Sequence, residues 1–186
     1  VYLGVVGPVR TGKSTFIRRF MELLVIPFME DEQEKKRALD ELPQAAAGKT
    51  VMTTEPKFIP KQAASIRVQG ESAGEAVPVV KVRLVDCVGF LVDGASGYLE
   101  DGGKRMVKTP WFPEEIPFEE AAAFGTQKVI KEHATIGIVV TTDGTIGELL
   151  REDYAAAEER TVKELKTIGK PFVILLNSTR PYAKET

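Results

Sequence analysis

Gly7-Pro8-Val9-Arg10-Thr11-Gly12-Lys13-Ser14 satisfies G-x-x-x-x-G-K-[ST], and its flanks decide how it folds. Residues 1–6 form an apolar run of strand length, and residues 15–24 repeat apolar side chains at helical spacing. The glycine loop therefore joins a buried strand to a helix N-terminus, the arrangement a phosphate cradle requires. Consecutive backbone N–H groups, from Val9, Arg10, Thr11 and Gly12 to Thr15, and the positive end of the helix dipole then converge on phosphate. Gly7 and Gly12 permit backbone conformations and a close approach that a side chain would block. Lys13 is expected to reach the β and γ oxygens of a nucleotide, and the Ser14 hydroxyl to ligate Mg²⁺.

A P-loop needs a second, metal-side carboxylate. Residues 84–89 read Leu-Val-Asp-Cys-Val-Gly, an apolar strand ending in Asp86 with glycine three residues on. Asp86 is expected to hold Mg²⁺, and the Gly89 N–H to contact the γ-phosphate. Between the two elements, residues 48–56 read Gly-Lys-Thr-Val-Met-Thr-Thr-Glu-Pro. A threonine hydroxyl in such a loop can close onto Mg²⁺ and the γ-phosphate and so report nucleotide state. Thr53 and Thr54 are preferred over Thr50, because Glu55-Pro56 should fix the backbone just beyond them. The pattern does not separate Thr53 from Thr54, and a threonine-rich loop with local backbone hydrogen bonds is the alternative. Arg10 can lie along the phosphates as an internal cation or point outward from the surface. Phe90 follows Gly89 where many GTPases carry a water-orienting glutamine; an apolar side chain cannot polarise water, so hydrolysis is expected to be slow or to depend on groups from elsewhere.

The base is addressed by the apolar run 172–176 and its exit, Asn177-Ser178-Thr179-Arg180. Guanine-specific relatives carry N-K-x-D there, whose carboxylate accepts from guanine N1–H and N2–H₂. Asn177 is kept, Ser178 replaces the lysine, and Arg180 stands in the carboxylate's place. A guanidinium has donors only, so it meets guanine's donors with like polarity and leaves buried groups unpaired. Adenine offers an acceptor at N1, and ATP is the expected nucleotide.

The rest of the chain reads as an α/β domain with a mostly parallel sheet, helices on both faces and one antiparallel edge hairpin. A charged helix is expected over 31–42, a loop over 44–60, and hairpin strands at 65–68 and 79–85 around the turn-rich residues 70–74. Residues 89–117 read as a long irregular loop or lid, 118–132 as helix, 136–140 as a buried strand, 148–168 as a long amphipathic helix, and 172–176 as a last buried strand. With 186 residues, 43% of them hydrophobic, one domain over residues 1–186 is the default. The formal net charge is -2 and no basic run binds nucleic acid or acidic lipid. One cysteine, Cys87, excludes an intrachain disulfide and fits a reducing compartment. No apolar stretch approaches membrane-spanning length. The chain opens inside a strand without Met or leader and stops before a last strand and loop that would complete a base pocket, so it is expected to be a piece of something longer.

Five segments together carry a family resemblance: Gly-Pro-Val-Arg-Thr-Gly-Lys-Ser-Thr at 7–15, Ala-Gly-Lys-Thr-Val-Met-Thr-Thr-Glu-Pro-Lys-Phe-Ile-Pro at 47–60, Arg-Leu-Val-Asp-Cys-Val-Gly-Phe at 83–90, Thr-Pro-Trp-Phe at 109–112, and Thr-Thr-Asp-Gly-Thr-Ile-Gly at 141–147. Over essentially its whole length the chain resembles the ATPase region of the stage IV sporulation protein A family, spore coat morphogenetic ATPases of spore-forming Firmicutes. The resemblance implies a P-loop NTPase of the translation-factor-related (TRAFAC) GTPase type that has shifted from GTP to ATP. It implies ATP hydrolysis driving self-assembly into the basement layer of the spore coat, around the forespore in the mother-cell cytoplasm. Implied partners are further copies of the chain, a small amphipathic membrane-anchor protein and other coat morphogenetic proteins. Carried over, Lys13 is the Walker A lysine, Asp86 the Walker B aspartate, and Thr53 and Thr54 the sensor threonines.

Other residues carry weaker signals. Trp111 and Phe112, between two prolines, can anchor the long loop to the body or meet a neighbouring subunit, and Asp143 ends a strand where it can position a neighbour. His133 lacks the context of a catalytic group. Two functions compete with the assembling ATPase: a regulatory GTPase-like switch with a degenerate base motif, and a structural domain that binds nucleotide and hardly turns it over.

Overall fold

The computed structural model describes residues 1–43, 54–67, 79–95, 99–100 and 103–183. Its body is a five-stranded sheet centred on β1 (Tyr2–Val6). β1 runs parallel to β3 (Val79–Asp86) on one side and to β8 (Ile136–Thr142) on the other, and β8 is parallel to β9 (Phe172–Asn177). β2 (Lys57–Arg67) is antiparallel to β3 and closes one edge. The mostly parallel sheet and its edge hairpin are thus as expected; the turn at 70–74 lies outside the described residues.

Alternation along the strands divides the interior into two cores. Val5, Leu84, Ile138 and Val140 join Ile17, Met21 and Val25, the inner face of α1 (Lys13–Phe20) and the π-helical turn that extends it. Val6, Val85 and Val139 join Val129, Ile130, Tyr154, Ala157 and Leu165 on the opposite face. These come from α3 (Phe118–Lys128) with its π-helical extension, and from α4 (Ala155–Thr167) with the short 3₁₀ turn before it. Each strand feeds both layers, which is why the parallel strands read as continuous apolar runs. α2 (Glu32–Asp40) starts where the Asp31 carboxylate accepts the Gln33 and Glu34 N–H groups at 2.7 and 2.9 Å.

Four expectations need correction. β2 begins at Lys57, inside the stretch read as loop; its one proline, Pro60, suits an edge strand with one neighbour. From residue 99 on, the described part of 89–117 holds short antiparallel pairs, β4 (Leu99–Glu100) with β5 (Gly103–Lys104) and β6 (Met106–Thr109) with β7 (Phe112–Pro117). The helix expected from 148 starts at Arg151, because the Asp153 carboxylate accepts the Leu150 N–H at 2.9 Å and sets the first turn there. β9 is not buried: it is an edge strand, and Val173, Ile174 and Leu176 are 53%, 55% and 44% exposed.

Candidate functional site

The glycine loop leaves β1 at the carboxyl edge of the sheet, between the neighbours β3 and β8. α1 begins at Lys13 with Gly12 as its N-cap, no side-chain cap and no acidic residue in its first turn. Its leading amides therefore face the loop uncapped, as an anion-binding helix start requires. Gly12 holds φ 91°, and a Cβ there would lie 2.5 Å from Asn177 Nδ2. Arg10 takes φ 61°, a left-handed conformation uncommon outside glycine, so the turn is over-determined by its surroundings.

Lys13 is buried, and its Nζ donates to the carbonyls of Pro8 and Gly7. Burial pulls the ammonium's pKa below its ordinary value, while the thiol of Cys87 and the carboxylate of Asp86 act in the opposite sense. The Ser14 hydroxyl donates to Asp86 Oδ2 at 3.2 Å, so the helix start and the end of β3 meet there. Asp86 Oδ1 is buried and has no hydrogen-bond partner. Burial raises the Asp86 pKa, with Lys13 and Ser14 opposing the shift. An orphaned carboxylate oxygen beside a hydroxyl is the all-oxygen donor set that suits Mg²⁺, so the residues fit that ion. Among the described residues no cluster of three or more His, Cys, Asp or Glu could hold a metal by itself. The remaining positions around an ion would fall to phosphate and water oxygens.

Gly89 lies against this group. A Cβ on Gly89, whose φ is 95°, would collide with the Gly7 carbonyl and stand 2.7 Å from Lys13 Nζ. Its N–H, the one expected to meet phosphate, donates to Thr126 Oγ1 at 3.2 Å. The Val9 N–H is likewise used, donating to the Phe90 carbonyl at 3.0 Å, and Pro8 and Phe90 form a short parallel bridge. Phe90 is 2% exposed, belongs to the core, and carries the Arg160 guanidinium 4.2 Å from its ring centroid.

Of the other sequence-derived residues, Thr11 is fully buried and its hydroxyl donates to the Pro8 carbonyl at 3.1 Å. Thr15 is exposed. Arg10 is exposed but near enough to the buried Tyr154 to oppose the burial-driven rise of its pKa. Thr54 is buried, with its carbonyl against α3 at Gly125; Thr53 lies outside the described residues. Asn177 is not directed only to a base: its Nδ2 donates to the Thr11 carbonyl at 3.1 Å. Arg180 is exposed, with its N–H bonded to Ser178 Oγ at 2.9 Å.

Asp143 does position neighbours. Its carboxylate accepts from Thr145 N–H and hydroxyl at 2.9 and 2.6 Å, and hydrogen bonds from Ser178 and Thr145 hold its pKa down at about 2. Thr179 N–H donates to Thr145 Oγ1 at 2.9 Å, which fastens the loop after β9 to the loop after β8. Trp111 and Phe112 stand 5.2 and 5.0 Å from Phe124, ring to ring, seating the β6–β7 hairpin on α3. Thr126 gave no sign in the sequence, because nothing in a helical repeat marks one buried hydroxyl as the acceptor for a distant glycine.

The model of the family described as stage IV sporulation protein A, ATPase domain, matches residues 1–186. Over the same 186 residues the chain is 60% identical to stage IV sporulation protein A of Bacillus subtilis (strain 168) and of Bacillus anthracis, and 52% identical to that of Clostridioides difficile (strain 630). All of this chain is covered in each case, and it spans 37% of the length of those relatives.

Proposed function

This chain belongs to the stage IV sporulation protein A family through its ATPase domain, and from that premise we propose that it binds ATP with Mg²⁺ and hydrolyses it to drive self-assembly of the full-length protein in the spore coat. The observation that carries the reading is the Ser14–Asp86 hydrogen bond of 3.2 Å, with Asp86 Oδ1 orphaned beside it and Lys13 close by. In this reading the fold is of the translation-factor-related P-loop class. Gly7 to Thr15 form the phosphate cradle, Ser14 and Asp86 hold Mg²⁺, joined by Thr53 or Thr54, and Lys13, assisted by Arg10, neutralises charge on the β and γ phosphates. The ion would supply charge neutralisation between the phosphates. Arg180 disfavours guanine. The relatives bear the name of a sporulation protein, and this supports a coat layer around the forespore, built from further copies, an amphipathic membrane anchor and other coat proteins. Among the described residues no helix is long and apolar enough to cross a membrane.

The deciding experiment is hydrolysis and binding of ATP and GTP side by side by the full-length protein, with sedimentation of polymer. ATP is expected to bind at least about tenfold more tightly than GTP, a difference of about 1.4 kcal/mol. Arg180→Asp with Ser178→Lys should narrow that gap, and equal affinities in the wild type would overturn the ATP assignment. A second reading, a domain that binds ATP and turns it over very slowly by itself, is favoured by the burial of Phe90 at the position after Gly89. Turnover that appears only with polymer would reconcile the two.

A further inference from the structure

Gly89 has one N–H, for which two oxygen acceptors compete. The first is the terminal phosphate that the proposed function would bring beside Lys13, and the second, seen in the structure, is Thr126 Oγ1. Thr126 is fully buried in α3, and its hydroxyl donates its single proton to the Ala122 carbonyl at 2.7 Å while accepting from Gly89. That carbonyl already receives the helical N–H four residues on, so it does not depend on the hydroxyl. The Gly89 N–H has Thr126 Oγ1 as its oxygen acceptor, and the hydrogen bond it also gives the buried Cys87 sulfur is to a weak acceptor. The residue beside Thr126 touches the other half of the site. A Cβ on Gly125 would lie 2.5 Å from the Thr54 carbonyl and 3.2 Å from the Trp111 ring.

We propose that Thr126 is a positioning residue for the Asp86–Gly89 turn: its hydroxyl holds the Gly89 N–H and must surrender it to the terminal phosphate of a nucleoside triphosphate. α3 thereby registers triphosphate against diphosphate. The inference rests on the nucleotide reading above and names a residue that sets the selectivity of that site. The exchange swaps one hydrogen bond for another, so wild-type preference for the triphosphate is smaller than a free Gly89 N–H would give. The loss of the Thr126 bond is transmitted along one helix residue to Thr54 and to the Trp111 hairpin.

The test is made on the full-length protein with AMP-PNP and ADP, each with Mg²⁺, by calorimetry. Thr126→Val keeps the shape and removes the acceptor, so the ratio of AMP-PNP to ADP affinity should rise about fivefold to tenfold, with ADP affinity unchanged. Thr126→Ser keeps the hydroxyl and should stay within about twofold of the wild type. In parallel, hydrogen–deuterium exchange over residues 118–128 of the wild type should change with AMP-PNP and not with ADP, a measurement that needs no variant to fold. A ratio unmoved by Thr126→Val, a serine variant that behaves like valine, or equal exchange with both nucleotides would overturn the role of Thr126. A wild type that binds neither nucleotide would instead overturn the nucleotide reading beneath it.

Discussion

Asn177 and Thr11, 166 residues apart in the chain, are joined by a 3.1 Å hydrogen bond from side-chain amide to backbone carbonyl. The bond runs from the end of β9 to the residue before Gly12, and the space it needs is the space a Cβ on Gly12 would take. The asparagine therefore adds a second reason for glycine at the helix start to the left-handed φ of 91° that Gly12 already holds. Asn177→Ala should leave the buried side of the loop short of a donor, at a cost of about 1–3 kcal/mol. Because the loop cradles phosphate shared by both nucleotides, ATP and ADP affinities are expected to fall together by about tenfold. Calorimetry on the full-length variant checks this; a loss confined to base discrimination would show that Asn177 acts on the base alone.

Lys13 shows how function and stability oppose each other at one residue. Its ammonium is buried, and burial disfavours its charge. Lys13→Met keeps the apolar stem and removes the desolvated charge, so the melting temperature without nucleotide should be no lower than that of the wild type. ATP affinity should drop by about a hundredfold or more, since Lys13 is proposed to carry the main side-chain contact to the β and γ oxygens, with Arg10 only assisting. A variant that melts as expected yet binds ATP normally would remove Lys13 from the site.

The sheet and the loop were legible because their signals are local. Residues 1–24 carry strand, turn and helix patterns in unbroken succession, and Asp86 follows an apolar run directly. What escaped was set by partners remote in sequence. Gly89 N–H is taken by Thr126 and Asn177 is turned toward Thr11, and neither bond follows from the spacing of the motifs. Val173, Ile174 and Leu176 show a different limit: an apolar strand with one neighbour and an apolar strand with two share the same pattern. The segment before Phe118 hid its hairpin because β6 and β7 are short, with turn and proline chemistry between them.

Phe90 occupies the position of a water-orienting glutamine in many GTPases, but its ring is buried under Arg160 and its carbonyl holds the Val9 N–H. Phe90→Gln is therefore not expected to accelerate hydrolysis. It should remove core contacts and bury an amide, at a cost of about 3 kcal/mol read from urea unfolding. A stable variant with faster turnover would show that the ring leaves the core during the reaction.

The charge of Asp86 gives a pH signature. Burial raises its pKa above the ordinary 3.8, so the folded chain binds a proton there more readily than the unfolded chain does. Its contribution to stability is fully present below pH 3.8 and is lost as pH rises through the raised folded value; at neutral pH the ionised carboxylate is a net cost. Asp86→Asn removes that titration while keeping a partner for Ser14. The melting temperature of the variant minus that of the wild type should thus grow as pH rises from the ordinary carboxylate range toward neutrality, then level off. Mg²⁺ with ATP should reverse the order at neutral pH, because the proposed ligand set favours the charged carboxylate and only the wild type supplies it. Melting curves of both proteins across pH, with and without Mg²⁺ and ATP, read both effects. Parallel pH profiles would show that burial does not perturb Asp86, and equal stabilisation by Mg²⁺ with ATP would remove it from the metal site.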